Sequence, residues 1–189
     1  FQDKTTVTVT PRFVDEINET INSLVNDNIC SKQSDKLMEL LNNLGDEETV
    51  LSVFNKCFLE HHDIYLNLCK KGIQLNNPIA HHKYALTLIF SPNVNRFSLD
   101  EARKHLEESI KQGFSFSYFL LARLYHECFD ENSKSIELLK KGSEKGDKYS
   151  KCFLGYFISR GIGIKKDYKK GIQMILQSSA EDYYCNAFN

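Results

Sequence analysis

Two histidine pairs, His61-His62 and His81-His82, and six cysteines are the side chains of this 189-residue chain best suited to metal or nucleophilic chemistry. Cys57 and His61 stand four apart, the spacing that puts two ligands on one face of a helix. A metal site asks for more than that. No C-x-x-C pair occurs, and no carboxylate-rich or cysteine-rich partner motif is fixed by spacing. Neighbouring histidines on a helix point about 100° apart, so one of each pair at most can face a shared ion. A cysteine nucleophile would need a histidine placed by tertiary structure, and six residues of each type offer accidental pairs. No phosphate loop, dinucleotide turn or H-E-x-x-H occurs. The expectation is no metal, no cofactor and no catalytic residue.

Most of the cysteines (Cys30, Cys57, Cys69, Cys128, Cys152, Cys185) fall at apolar positions of helical patterns, where a thiol behaves as a small hydrophobe. That reading expects free thiols, a reducing compartment and an intracellular, cytoplasmic protein. The formal net charge of -1 supplies no global field for nucleic acid or anionic membrane. Lys140-Lys141 and Lys165-Lys166 are basic clusters, but Glu137, Glu144 and Asp167 lie close by, which reads as a solvated helix face. No apolar stretch approaches the roughly 20 residues of a membrane span. The chain opens on Phe1 with polar residues following and shows no signal or transit peptide, which suggests a piece of a longer protein. The sequon Asn18-Glu19-Thr20 falls inside a predicted helix and reads as chance.

The elements that must position any site are helical. With 41% hydrophobic and 26% charged residues the composition is that of an ordinary folded chain, and three prolines with nine glycines are too few for a β-sandwich. Asp3 to Thr10 is β-branched and extended in character, so residues 1–10 read as a tail or linker. Thr10-Pro11 starts a helix whose apolar stripe is Val14, Ile17, Ile21 and Leu24. Leu37, Leu40, Leu41 and Leu44 mark a second helix ended by Gly45, which makes residues 11–45 a hairpin or cap. Asp46 caps a third helix carrying Val50, Val53, Phe54 and Cys57. A fourth buries Ile64, Tyr65, Leu68 and Cys69, so 46–76 reads as a degenerate repeat.

From residue 77 the chain repeats. Small residues at Ala80, Ser117, Ser150 and Asn186 are separated by 37, 33 and 36 positions, the size of one helix-turn-helix unit. Four residues after the first three anchors stand Tyr84, Leu121 and Leu154. Next come the small residues Ala85, Ala122 and Gly155, and three further on Leu88, Tyr125 and Ile158. Four residues before the anchors are Asn76, Gly113, Gly146 and Asp182, types that tolerate a left-handed helix exit. Small residues such as Gly72, Ser109 and Gly142 precede these. A repeated notch of this kind lets antiparallel helices approach closely and stack.

Ser150, Leu154-Gly155, Ile158, Gly161-Ile162-Gly163-Ile164, Asp167, Lys170-Gly171 and Ser178-Ser179 together resemble one complete Sel1-like repeat, a relative of the tetratricopeptide repeat. The neighbouring units are more degenerate. One keeps Leu99-Asp100-Glu101-Ala102 but has Ser91-Pro92-Asn93 for the glycine loop, and the next keeps Leu121-Ala122 and Tyr125 without a loop glycine. The resemblance implies an all-α fold, a right-handed superhelical α-solenoid of antiparallel helix pairs. Its repeats fall at about 77–113, 114–146 and 147–182, followed by the start of a further helix.

The resemblance also implies a protein-binding scaffold or adaptor whose concave face is lined by the first helix of each hairpin. On those helices the residues the core pattern leaves over include His82, Tyr118, Phe119, Arg123, His126, Lys151 and Tyr156, of types that suit a groove for a peptide or protein partner. Phe119 and Tyr156 are equally suited to packing between hairpins. A second expectation is that the chain forms the non-catalytic regulatory or targeting arm of a larger enzyme, such as a kinase or ubiquitin ligase. Homo-oligomer formation, through Thr5 to Thr10 or the terminal helices, is a third.

Overall fold

The computed structural model describes position 19 and residues 30–44, 46–60 and 62–178. The expected tail, the first helix, Gly45, His61, Asp182, Cys185 and the anchor Asn186 lie outside the described residues. Within them the chain is helical, without strands: α1 (Cys30–Leu44), α2 (Glu47–Glu60), α3 (His62–Gln74), α4 (Pro78–Ile89), α5 (Arg96–Lys111), α6 (Ser117–Cys128), α7 (Asn132–Glu144), α8 (Lys148–Arg160) and α9 (Tyr168–Gln177). The chain divides into two compact units, up to Thr87 and from Leu88.

In the first unit α3 packs against both α1 and α2. Asp46 caps α2, its Oδ2 accepting the Thr49 amide at 3.0 Å. The Thr49 hydroxyl, followed by that amide bond, holds the carboxyl below its usual range. The core is Leu37, Met38, Leu41, Phe54, Cys57, Tyr65, Leu68 and Cys69, all sealed from solvent, with Phe54 and Tyr65 meeting edge to face. All but Met38 belong to the apolar stripes expected for these helices; Met38 is not among them, and Leu40, which is, is only half-buried.

In the second unit consecutive helices pack in chain order, α5 on α6, α6 on α7, α7 on α8 and α8 on α9. Phe153, Leu154, Phe157 and Ile158 of α8 meet Ala122, Ile136 and Leu139 in one cluster. Ile162 and Ile164 from the loop after α8 pack against it.

The small-residue notches recur at one geometry. Helices α3, α5 and α7 each end with a residue at positive φ: Asn76 (57°), Gly113 (99°) and Gly146 (86°). The next amide turns back to the carbonyl five residues earlier, Asn77 to Gly72 at 2.8 Å, Phe114 to Ser109 at 3.1 Å and Asp147 to Gly142 at 2.9 Å. This sharp exit sends the following helix back across the small residue. A Cβ on Gly72 would strike Ala80, and one on Gly142 would lie 2.7 Å from Ser150 Cβ and 2.8 Å from Tyr118 Cβ. Between them in sequence, Ser109 and Ser117 share a buried hydroxyl hydrogen bond of 2.8 Å. Within the last pair, α8 and α9 approach backbone to backbone at Gly155 and Gly171.

One helix start is new and one expectation changes. Helix α5 starts at Arg96, with Asn95 and Ser98 bonding each other's amides at 3.1 and 2.9 Å. Asp100, part of the Leu99-Asp100-Glu101-Ala102 match, sits one turn inside and pairs with Arg96 and Arg103. Cys57, Cys69 and Cys128 are free thiols, but Cys152 is disulfide-bonded. Disulfides persist in oxidising surroundings, so the cysteines no longer argue for a reducing compartment. No helix among the described residues is long and apolar enough to cross a membrane.

Candidate functional site

The notch fixes which faces of α6 and α8 lie side by side. Asp147 anchors the start of α8: its carboxylate accepts the Tyr149 and Ser150 amides, both at 3.2 Å, and the Ser150 hydroxyl at 2.5 Å. Burial pushes this carboxyl above its usual range, against the pull of those hydrogen bonds. With α8 so placed, a run of rings forms across the two helices. Phe119 stacks on Tyr149 with centroids 5.7 Å apart and meets Phe153 edge-on at 5.6 Å. Phe153 lies nearly parallel to Tyr156 at 5.8 Å. Phe116 extends the run at the other end, 6.4 Å from Tyr149. Each such pair contributes about 0.5–1.5 kcal/mol beyond area burial, so the rings are held in place before any partner arrives.

Cations flank the rings. The Arg123 guanidinium lies 5.8 Å from the Phe119 centroid, Lys148 Nζ 5.4 Å from Tyr149 and Arg160 6.0 Å from Tyr156. Arg123 is further oriented by a two-pronged bond to Glu127, at 2.8 and 3.0 Å. His126 Nδ1 bonds Asn132 Oδ1 at 2.6 Å, and its ring meets Phe157 at 4.8 Å.

The second unit thus gathers Phe119, Arg123, His126 and Tyr156 along one strip, each half-buried. Lys151 is half-buried on α8. Tyr118 turns the other way: only 8% exposed, it closes the notch over Gly142. His82 belongs to the first unit. Burial pushes its imidazole down to about 3, the neighbouring Lys83 charge acting in the same direction. Beside it on α4, Lys83 donates to Asn55 Oδ1 at 2.6 Å, and its backbone carbonyl accepts the Tyr65 hydroxyl at 2.9 Å. The Cys69 thiol is pushed up to about 12, chiefly by burial, so it is no thiolate nucleophile at neutral pH. Among the described residues no three His, Cys, Asp or Glu side chains converge as a metal site would require.

No protein-family model matches the chain, and no curated protein matches it either. Solved structures do. A protective antigen present in uropathogenic Escherichia coli strains, described as displaying an SLR fold, aligns over 77% of this chain with TM-score 0.58 and 20% identity. A Sel1 repeat protein from Oxalobacter formigenes aligns over 90% with TM-score 0.57 and 17% identity. The fold is that of the Sel1-like repeats. The chain spans 33% of the antigen's length and 75% of the Oxalobacter protein's.

Five members of the strip, Phe116, Lys148, Tyr149, Phe153 and Arg160, are not among the residues the sequence reading singles out. Phe116 and Tyr149 each stand immediately before a small anchor, Ser117 and Ser150, and this shared position is the signal that finds them. Arg160, at the last residue of α8, carries no such signal. It joins the strip only because its guanidinium folds back over Tyr156, one helical turn earlier.

Proposed function

We propose that the chain is a protein-interaction module, an adaptor or scaffold, and that the aromatic strip on α6 and α8 is its docking surface for a partner peptide or domain. The observation that carries this reading is the run Phe116–Tyr149–Phe119–Phe153–Tyr156, preorganised by ring contacts and flanked by Arg123, Lys148 and Arg160. Tyrosine, phenylalanine and arginine supply large contact area at low entropic cost, which is why they dominate interface hot spots. The half-burial of Phe119 and Tyr156 serves both roles weighed in the sequence: one edge packs and the other is presented. Lys151 and His126 complete the surface, and His82 marks the corresponding position of the first unit.

The test is a random peptide library displayed on phage and panned against the full chain. Peptides enriched on it are expected to lose at least about tenfold in affinity, about 1.4 kcal/mol, on Arg123→Glu combined with Phe119→Ala. Equal affinity for the double variant, with its helical circular dichroism intact, removes the strip from the reading.

A further inference from the structure

A second surface lies on the last helix pair and adjoins the strip at Arg160. Between Arg160 and Lys170 the sequence has five basic side chains, Arg160, Lys165, Lys166, Lys169 and Lys170, and a single acid, Asp167. All five basic residues are exposed. The acid is occupied structurally: Asp167 Oδ1 accepts the Lys170 amide at 2.9 Å as the cap of α9. None of the five forms an ion pair among the described residues. Several cations elsewhere in the second unit do form ion pairs, Arg96 and Arg103 with Asp100, Arg123 with Glu127, Lys134 with Glu131 and Lys141 with Glu137. Lys165 and Lys166 are solvated, as the sequence reading has them, but they stand in the loop before α9 and not on a helix face.

The cluster sits on a folded loop. The Gly161 and Ile162 amides both donate to Phe157 O, at 2.8 and 3.0 Å, and the Asp167 amide returns to Ile158 O at 2.9 Å. Ile162 and Ile164 pack against the core cluster, which leaves the lysines on the solvent side. Lys166 lies against Gly161, so the loop brings it beside the end of α8 and Arg160. Tyr168, 68% exposed, offers one apolar ring among the charges.

We propose that this turn binds an acidic segment of a partner protein, a run of several Asp or Glu side chains. Four of the five cations are lysines, compact charges on flexible stems that follow irregular carboxylates without the planar fork an arginine imposes. Single-stranded nucleic acid is held by successive aromatic stacking platforms, and this turn has one exposed ring. Duplex binding draws on many phosphate contacts over an extended basic surface, and here the charge is confined to one hairpin of a chain with net charge -1. The proposal goes beyond the aromatic strip and does not need it.

Fluorescein-labelled octaglutamate, titrated against the full chain by anisotropy, is the probe. Its affinity is expected to fall about tenfold or more between about 50 mM and about 200 mM salt. Lys165→Glu with Lys169→Glu is expected to weaken it about tenfold at the lower salt. Both lysines are exposed and hold nothing in the fold, so the thermal midpoint stays unchanged. Lys140→Glu with Lys141→Glu alters the net charge equally at a place where Glu137 already answers Lys141 at 2.6 Å, and is expected to have a small effect. Three results overturn the proposal: no binding at low salt, equal weakening by both variant pairs, or tighter binding of an oligothymidylate of matched charge than of octaglutamate.

Discussion

In the first unit the notch between α3 and α4 is closed by Gly72 against Ala80; in the second the same positions are Ser109 with Ser117 and Gly142 with Ser150. The backbone exit before each is the same. What differs is the face that follows. At the two and three positions beyond the anchor the first unit has His82 and Lys83, both held below their usual pKa by burial. The second has Phe119 and Leu120, then Cys152 and Phe153, which support the aromatic strip. Stacking constrains the small residue and the helix exit, because helices approach closely there. The outer positions are left to diverge, and divergence there is where recognition can arise.

The largest test of this comparison is at the notch itself. Gly72→Val and Gly142→Val each place a Cβ onto another side chain's Cβ in the core, and each is expected to lose about 3 kcal/mol in denaturant unfolding. A loss below about 1 kcal/mol in one unit alone would show that the two notches are not equivalent.

A smaller effect distinguishes the faces by pH. A histidine whose folded pKa lies below its unfolded value takes up its proton only on unfolding. Stability from His82 is therefore full above about 6.5 and drains as pH falls from there toward about 3, by up to about 1.4 kcal/mol per pH unit. Hydrogen-exchange protection of the first unit, taken relative to the intrinsic exchange rate at each pH, is expected to fall between about pH 7 and about pH 5, and His82→Gln to flatten that slope. Burial also lowers His105 in the second unit, where Glu101 opposes the shift, so the slope there is expected to be shallower. Equal slopes in the two units would break the contrast.

The smallest expected effect is a gain. Ser135 on α7 is fully buried, and its hydroxyl has no hydrogen-bond partner among the described residues. It occupies the fourth position after the helix cap, where α9 carries Gly171 against α8. An unpaired buried hydroxyl is a cost, so Ser135→Ala is expected to stabilise by about 1 kcal/mol, read from the unfolding midpoint. A loss instead would mean that the hydroxyl has a partner in solution.

Much of the framework was legible because it rests on local chemistry. Asp46 and Asp167 announce helix starts through a carboxylate that can take the amides of the first turn. Gly113 and Gly146 announce exits because their positive φ is costly for other residues. The start of helix α5 went unread although the Asn95-Ser98 capping pair is equally local. The strip was half legible. Phe119, Arg123 and Tyr156 stand out by type and position, but Tyr118 has the same chemistry and is buried over Gly142.

The sequence by itself determined the helices, their caps and the repeating small residues, since these follow from side-chain chemistry within a few positions along the chain. Only the tertiary structure decided which aromatic rings face each other across α6 and α8, and that the lysines of the last turn form no ion pair among the described residues. The physical reason is range. A cap or a helix exit is settled by atoms four or five residues apart, whereas ring stacking and ion pairing across elements depend on the angle and depth at which one helix crosses another, which the Gly142–Ser150 notch sets.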